Sequence, residues 1–240
     1  MNNFPIIVIF AILPSIIWLW FYLRQDKKPE PKRMIVKVFI LGMIAALAAI
    51  LLEKGAALLY TSFQDYSPRL VFILYIFIGI AFVEEFMKYL VVRFSVLKNP
   101  EMDEPLDILI YMITGALGFV ALENIFLFLN PSPFLIAPSF QEILFMSVLR
   151  MLTATLFHAL CSGILGYFIA LSFYRATRKS SLMISGIALA TLLHGLYDFS
   201  IMDVEGILLQ YSILVILLVS MSSLLGVFIL KIKKMLSVCK

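Results

Sequence analysis

The residues best suited to chemistry in this chain lie where hydropathy should forbid them. Glu84, Glu85 and Lys88 interrupt the apolar run FVEEFMKYLVV, and Glu123 and Asn124 do the same in FVALENIF. Arg150 and His158 fall in RMLTATLFHALCSG, while His194 and Asp198 share LHGLYDFS. Those are the chain's two histidines. Imidazoles and carboxylates can hold a metal such as zinc, or exchange protons with water in general acid–base catalysis. A zinc-bound or carboxylate-activated water can attack a peptide carbonyl. A charge at the centre of a membrane helix costs about 2.5–3.5 kcal/mol on insertion scales, so each such residue is a functional candidate by default.

Each also has a structural reading. Glu84 and Lys88 are four apart with Glu first, the favourable order for a helix-surface ion pair. That pair leaves Glu85 unexplained, because residue 85 points about 100° further round the helix. Two carboxylates close together in low dielectric push one of them towards holding a proton, as a general acid or base must. Asn124 reads equally as a structural hydrogen-bonding residue. Glu123 is open to three roles: metal ligand, carboxylate behind a ligand, or counter-charge to Arg150. His158, Ser162 and Gly166 fall on one helical row, and a lone histidine in a bundle is often a satisfied core residue. His194 and Asp198, at i and i+4, make either a local hydrogen bond or two groups aimed at one site. Gly115 and Gly118 permit close approach of a neighbouring helix. Histidines and carboxylates drawn from four helices are how bundles build metal or acid–base centres. The pattern is not H-E-x-x-H, for no histidine pair has that spacing.

These residues require helices that span a membrane. Hydrophobic residues make up 62% of the 240 and charged residues only 14%, against about 45–50% and about 25% in soluble domains. A span needs about 20 mostly apolar residues, and the sequence predicts seven spans, near 4–23, 34–60, 69–93, 106–129, 143–173, 181–201 and 207–230. The expected fold is an all-α polytopic membrane protein of one helical domain over 1–240, with no internal repeat and no soluble domain. The first span lacks the basic start and small-residue cleavage site of a signal peptide, and Pro5 and Pro14 are candidate kink positions. RQDKKPEPKR, YRATRKSS and the tail KIKKMLSVCK are basic, whereas TSFQDYSPR, NPSPFLIAPSFQE and MDVE are nearly neutral or acidic. FSVLKNPEMDEP is mixed and gives the weakest indication. The positive-inside rule then places the N-terminus outside and the C-terminus in the cytoplasm of a multi-pass cell-membrane protein. The net charge of +4 is topology information, not a nucleic-acid surface. The Pro-rich fourth loop, with Pro131, Pro133 and Pro138, reads as a connector on the outer surface. Cys161, inside a span, and Cys239, in the tail, suit neither a disulfide nor a thiolate metal site. The ending Val-Cys-Lys offers no prenylation box.

Depth argues against simple convergence. At about 1.5 Å per residue, Glu85 falls roughly 12 Å from the cytoplasmic end of its span, and His158, His194 and Glu123 fall roughly 20–26 Å from that side. A shared site requires tilt, offset or a broken helix.

FVEEFMKY, FVALENIF, LRMLTATLFHALCSGILGYF and LHGLYDF, in that order, resemble the PrsW family of intramembrane proteases, as does Pro14 followed by FYLRQDKKPEP. The resemblance covers nearly the whole chain. The wider group includes the eukaryotic CAAX prenyl endopeptidase and bacteriocin-immunity relatives, with Glu-Glu then Arg, Phe-x-x-x-His, and His-x-x-x-Asn or Asp. Glu84-Glu85 and His194-x-x-x-Asp198 match that pattern, but Ala154 stands where Phe would precede His158, which favours the PrsW branch over prenylated substrates. The resemblance implies hydrolysis of a peptide bond in a membrane-tethered protein. The implied substrate type is a single-span anti-sigma factor, cut first on its outer side in envelope-stress signalling. By position, Glu84 and Glu85 would activate water with His158, and His194 and Asp198 would stabilise the oxyanion. If zinc is used, Glu85, Glu123, His158 and His194 are the expected ligands; a metal-free glutamate mechanism stands beside it. Two other readings compete. One is a non-catalytic immunity or scaffold relative. The other is a proton-coupled transporter, disfavoured by the lack of the repeats many transporters carry. The expected partners are the protein substrate and the lipid bilayer, with no nucleic acid.

Overall fold

The computed structural model describes residues 4–26, 28–100, 102–129, 139–174 and 176–235. The Pro-rich loop read as a connector and Cys239 lie outside the described residues. Seven helices are long and apolar enough to cross a membrane: α1 (Phe4–Leu23), α2 (Lys32–Phe63), α3 (Pro68–Ser95), α4 (Pro105–Leu129), α5 (Phe140–Phe173), α6 (Lys179–Met202) and α7 (Ile207–Ile232). The described residues contain no strand. These elements match the spans expected from sequence: α1 has the expected bounds, and the other six run one to five residues longer.

The helix α4 forms the centre. Every residue from 105 to 121 is buried, so this helix has no polar face to turn outward. It packs chiefly against α2, α5 and α1. Glycines set the α2–α4 distance. A Cβ on Gly118 would collide with the main chain of Phe39, and one on Gly42 would collide with the carbonyl of Gly115. Backbone thus meets backbone there, as small residues allow between membrane helices. The outer helices expose Leu51, Leu58, Ile78, Leu208 and Ile216, side chains that suit a hydrocarbon surround.

Two wide turns break the regular helices. Tyr75–Phe82 in α3 and Met151–Thr155 in α5 are π-helical, a form found mostly as short bulges inside α-helices at functional sites. One ends two residues before Glu84 and the other three residues before His158, so each shifts the rotation and height of a site residue. Both depart from the regular helix that the depth estimate assumes. Unpaired backbone groups are costly in a bilayer, and here they find partners. Trp18 Nε1 donates to the carbonyl of Met151 at 2.8 Å. Pro14 has no N–H to give the carbonyl four residues back, and that carbonyl, of Phe10, accepts from Ser147 Oγ at 2.7 Å. The next carbonyl, of Ala11, accepts from Asn124 Nδ2 at 3.2 Å. A capping box of Ser139 and Glu142 starts α5, satisfying its first orphan N–H groups.

Candidate active site

Four helices bring Glu84, Glu85 and Lys88 (α3), Glu123 (α4), His158 (α5) and His194 with Asp198 (α6) into one polar cluster. Lys88 is at its centre and is fully buried. Its Nζ lies 2.9 Å from Glu84 Oε2, 2.9 Å from Glu85 Oε1 and 2.7 Å from His158 Nδ1. It also lies 4.4 Å from the ring centroid of Phe119. The expectation of a helix-surface Glu84–Lys88 pair is therefore corrected. The helical spacing was right, but the pair is inside the bundle, and Lys88 reaches the i−3 glutamate as well as the i−4 one.

The two imidazoles stand nearly perpendicular, with ring centroids 5.2 Å apart. An ammonium can only donate, so His158 Nδ1 accepts from Lys88 and the ring proton sits on Nε2. That nitrogen faces Glu123 Oε2 at 3.4 Å. His194 is held the other way round. Its Nδ1 donates to Glu85 Oε1 at 2.9 Å, while Nε2 lies 3.7 Å from Glu84 Oε2 and 3.6 Å from Asp198 Oδ2. Ser162 Oγ donates to the other oxygen of Glu85 at 3.4 Å, so the His158–Ser162 row does face the cluster. Phe157 stacks on Tyr197 at 4.1 Å and presents itself edgewise to His194, walling that side with rings.

Arg150 and Asn124 back up Glu123. Arg150 Nε donates to Asn124 Oδ1 at 2.5 Å, and Nη2 lies 3.7 Å from Glu123 Oε2. Asn124 is oriented by the Ala11 carbonyl and by Thr155 Oγ1. Asn124 is thus a structural partner, and Glu123 faces both Arg150 and His158. Glu53 of α2 lies within electrostatic range of Glu84, Lys88, His194 and Asp198. The cluster is sealed at Glu85 and Lys88 (side chains 0% exposed) and open at Glu123 (22%), Arg150 (21%) and Asp198 (17%). Glu123 and Asp198 lie in the C-terminal halves of α4 and α6, and Arg150 lies in the N-terminal half of α5.

One carboxylate and two imidazoles, Glu84, His158 and His194, offer ligand atoms within 4.8 Å of one another. This donor set suits zinc. The far nitrogen of each imidazole faces a carboxylate, Glu85 or Glu123, as in carboxylate–histidine–metal triads. The group therefore fits a metal, with Glu84 rather than Glu85 beside the histidines and with Glu85 and Glu123 behind them.

A second acidic group escaped the sequence reading. Asp26, Glu30 and Asp107 also bring carboxylate oxygens within 4.8 Å of one another, at the opposite end of α4. Asp107 Oδ2 accepts the N–H groups of Asp103 (2.9 Å) and Glu104 (2.6 Å), and the Tyr111 hydroxyl donates to Glu30. Burial pushes the Glu30 carboxyl up to about 8, with the Tyr111 hydrogen bond pulling it down and the charges of Asp107 and Asp26 adding to the rise.

Residues 30–224 match the family described as PrsW family intramembrane metalloprotease. Similar curated proteins are Protease PrsW of Oceanobacillus iheyensis, 28% identical over 189 residues (79% of this chain, 80% of the relative), and Protease PrsW of Geobacillus kaustophilus, 26% identical over 196 residues (81% and 79%). Protease PrsW of Bacillus subtilis is 27% identical over 198 residues (79% of each chain). No solved structure matches the chain significantly. The buried cluster and the matched family agree, and the chain belongs to the PrsW family of intramembrane metalloproteases, a multi-pass membrane peptidase.

Proposed function

We propose that this protein is a zinc-dependent endopeptidase that makes the first cut in a single-span, anti-sigma-factor-like substrate, near the outer face of the membrane. The observation that carries the reading is the meeting of Glu84, His158 and His194 within 4.8 Å, each imidazole with its far nitrogen on a carboxylate. The outer location is supported by the partly exposed Glu123, Arg150 and Asp198, which lie in the halves of α4, α5 and α6 that lead towards the connections the loop charges assign to the outside.

Glu84, His158 and His194 would hold the metal, which when bound lowers the pKa of water and polarises a carbonyl. Glu85 accepts a hydrogen bond from His194 Nδ1–H and so turns its Nε2 lone pair towards Glu84. Glu123 does the corresponding work at His158 Nε2, and Arg150 holds Glu123 in place. Asp198 Oδ2 is buried, makes no hydrogen bond and lies beside His194 Nε2, in position to accept a proton from an attacking water or to join the ligands. The rings of Phe157 and Tyr197 keep bulk water from that side.

A metal-free reading has one observation in its favour. The ammonium of Lys88 already links both glutamates and His158, so Glu84 could act as general base with Lys88 supplying the positive charge. The deciding experiment is cleavage of a tagged single-span substrate in the same membrane by wild type and by Glu84→Gln, His158→Ala and His194→Ala, with metal content measured on each purified protein. Activity in a preparation free of metal overturns the zinc reading. Wild-type cleavage by all three variants overturns the assignment of the site.

A further inference from the structure

Lys88 is placed where a metal would have to go. An ammonium carries three N–H donors, and all three have acceptors here: Glu84 Oε2, Glu85 Oε1 and His158 Nδ1. Two of those acceptors belong to residues of the candidate metal set. His158 has no second lone pair to offer, because its Nε2 carries the proton facing Glu123. Metal–nitrogen bonds to histidine are about 2.0–2.1 Å long, and they use the same Nδ1 lone pair that Lys88 holds at 2.7 Å. The lone pair can serve one cation at a time.

We propose that Lys88 is an internal cation that competes with a divalent metal for His158 Nδ1 and Glu84 Oε2, so that the site exists in a lysine-closed and a metal-loaded state. This rests on the zinc reading above. In the closed state the buried carboxylates are neutralised by Lys88, the polar groups are satisfied, and neither histidine presents a complete ligand set. Loading withdraws the ammonium from its cage; its four-carbon stem is flexible enough to let it leave. The two charges of the metal then neutralise Glu84 and Glu85. Neither Glu85 nor Glu123 has to move, since each already holds the far nitrogen of its histidine. Lys88 thus sets how tightly the enzyme holds its metal, and it keeps the empty site from collapsing or binding other cations.

The test uses the full-length protein in detergent, stripped of metal and titrated with zinc against a fluorescent chelator. Wild type is compared with Lys88→Met and Lys88→Gln, and His194→Ala serves as the control that loses a ligand. The expected result is zinc affinity at least tenfold higher in both lysine variants, with zinc raising their melting temperature more than that of wild type. Folded variants that bind zinc no more tightly than wild type overturn the competition. Absence of zinc binding in wild type and both variants instead overturns the metal reading, so the two failures are distinct. Should neither variant fold, wild type is treated with a membrane-permeant amine reagent with and without zinc, and Lys88 modification is read by mass spectrometry. Modification that rises with zinc supports displacement; equal modification overturns it.

Discussion

The chain buries acidic residues in two places and holds them by different means. At the Glu84–Glu85 cluster, carboxylates are compensated by an ammonium, two imidazoles and, at the rim, a guanidinium. At the Asp26–Glu30–Asp107 group, the partners described are backbone N–H groups and a phenol. The first arrangement is rich in groups that can exchange a proton or bind a cation, and it opens on one side. The second ties the loop after α1 to the start of α4, much as a helix N-terminus accepts acidic side chains. A cluster of buried acids is therefore not in itself a candidate active site; what distinguishes the first is the two imidazoles among its carboxylates.

The sharpest break between the two regions is functional. Glu84→Gln or His194→Ala is expected to lower substrate cleavage by at least a hundredfold while the helical circular-dichroism spectrum is retained, whereas Asp107→Asn leaves cleavage within a few-fold of wild type. A hundredfold loss in Asp107→Asn would erase the distinction. Next in size is Lys88→Ala. Removing one partner of a buried ion pair costs about 3–5 kcal/mol, so the metal-free variant should melt well below wild type, and added zinc should recover part of the loss. Glu123→Gln tests the support behind His158: loss of an outer carboxylate typically costs about 10–100-fold in metal affinity or activity, read by chelator competition and cleavage rate.

The smallest effect is expected at the second cluster and concerns pH. The folded pKa of Glu30 is raised from its usual 4.5 to about 8. Its folded form therefore binds the proton more tightly than the unfolded form. The stability it contributes is full below about pH 4.5 and is lost as pH rises through about 8. Melting temperature should thus fall by a few degrees across that interval in wild type, and fall less in Glu30→Gln. A steeper fall in the variant would mean that Tyr111 holds Glu30 ionised.

Much of the first region was legible because charges in apolar runs cannot be hidden. Glu84, Glu85, His158, His194 and Asp198 stand out against their spans, and the spans follow from runs of about 20 apolar residues. What could not be read was height. Spacing along a regular helix separates Glu85 from the histidines, and nothing in YIFIGIAF or MLTAT announces a π turn. The position of Lys88 was half legible: Glu84 and Glu85 are both in helical reach of it, but only the i, i+4 contact was weighed. The second cluster gave no signal, since Asp26 and Glu30 look like loop acids and Asp107 like a first-turn acid, far apart in sequence. Glu53 gains its charged neighbours only through the packing of α2 beside α3.

The hydrogen bonds made by α1 change what the first span is for. Pro14 leaves the Phe10 carbonyl for Ser147, Ala11 orients Asn124, Asn124 holds Arg150, and Arg150 faces the glutamate behind His158. Trp18 fastens the same helix to the π turn three residues before that histidine. The span that hydropathy alone would class as an anchor is one wall of the buried polar cluster. A chain stripped of it would lose the alignment of its imidazoles along with its hold on the bilayer.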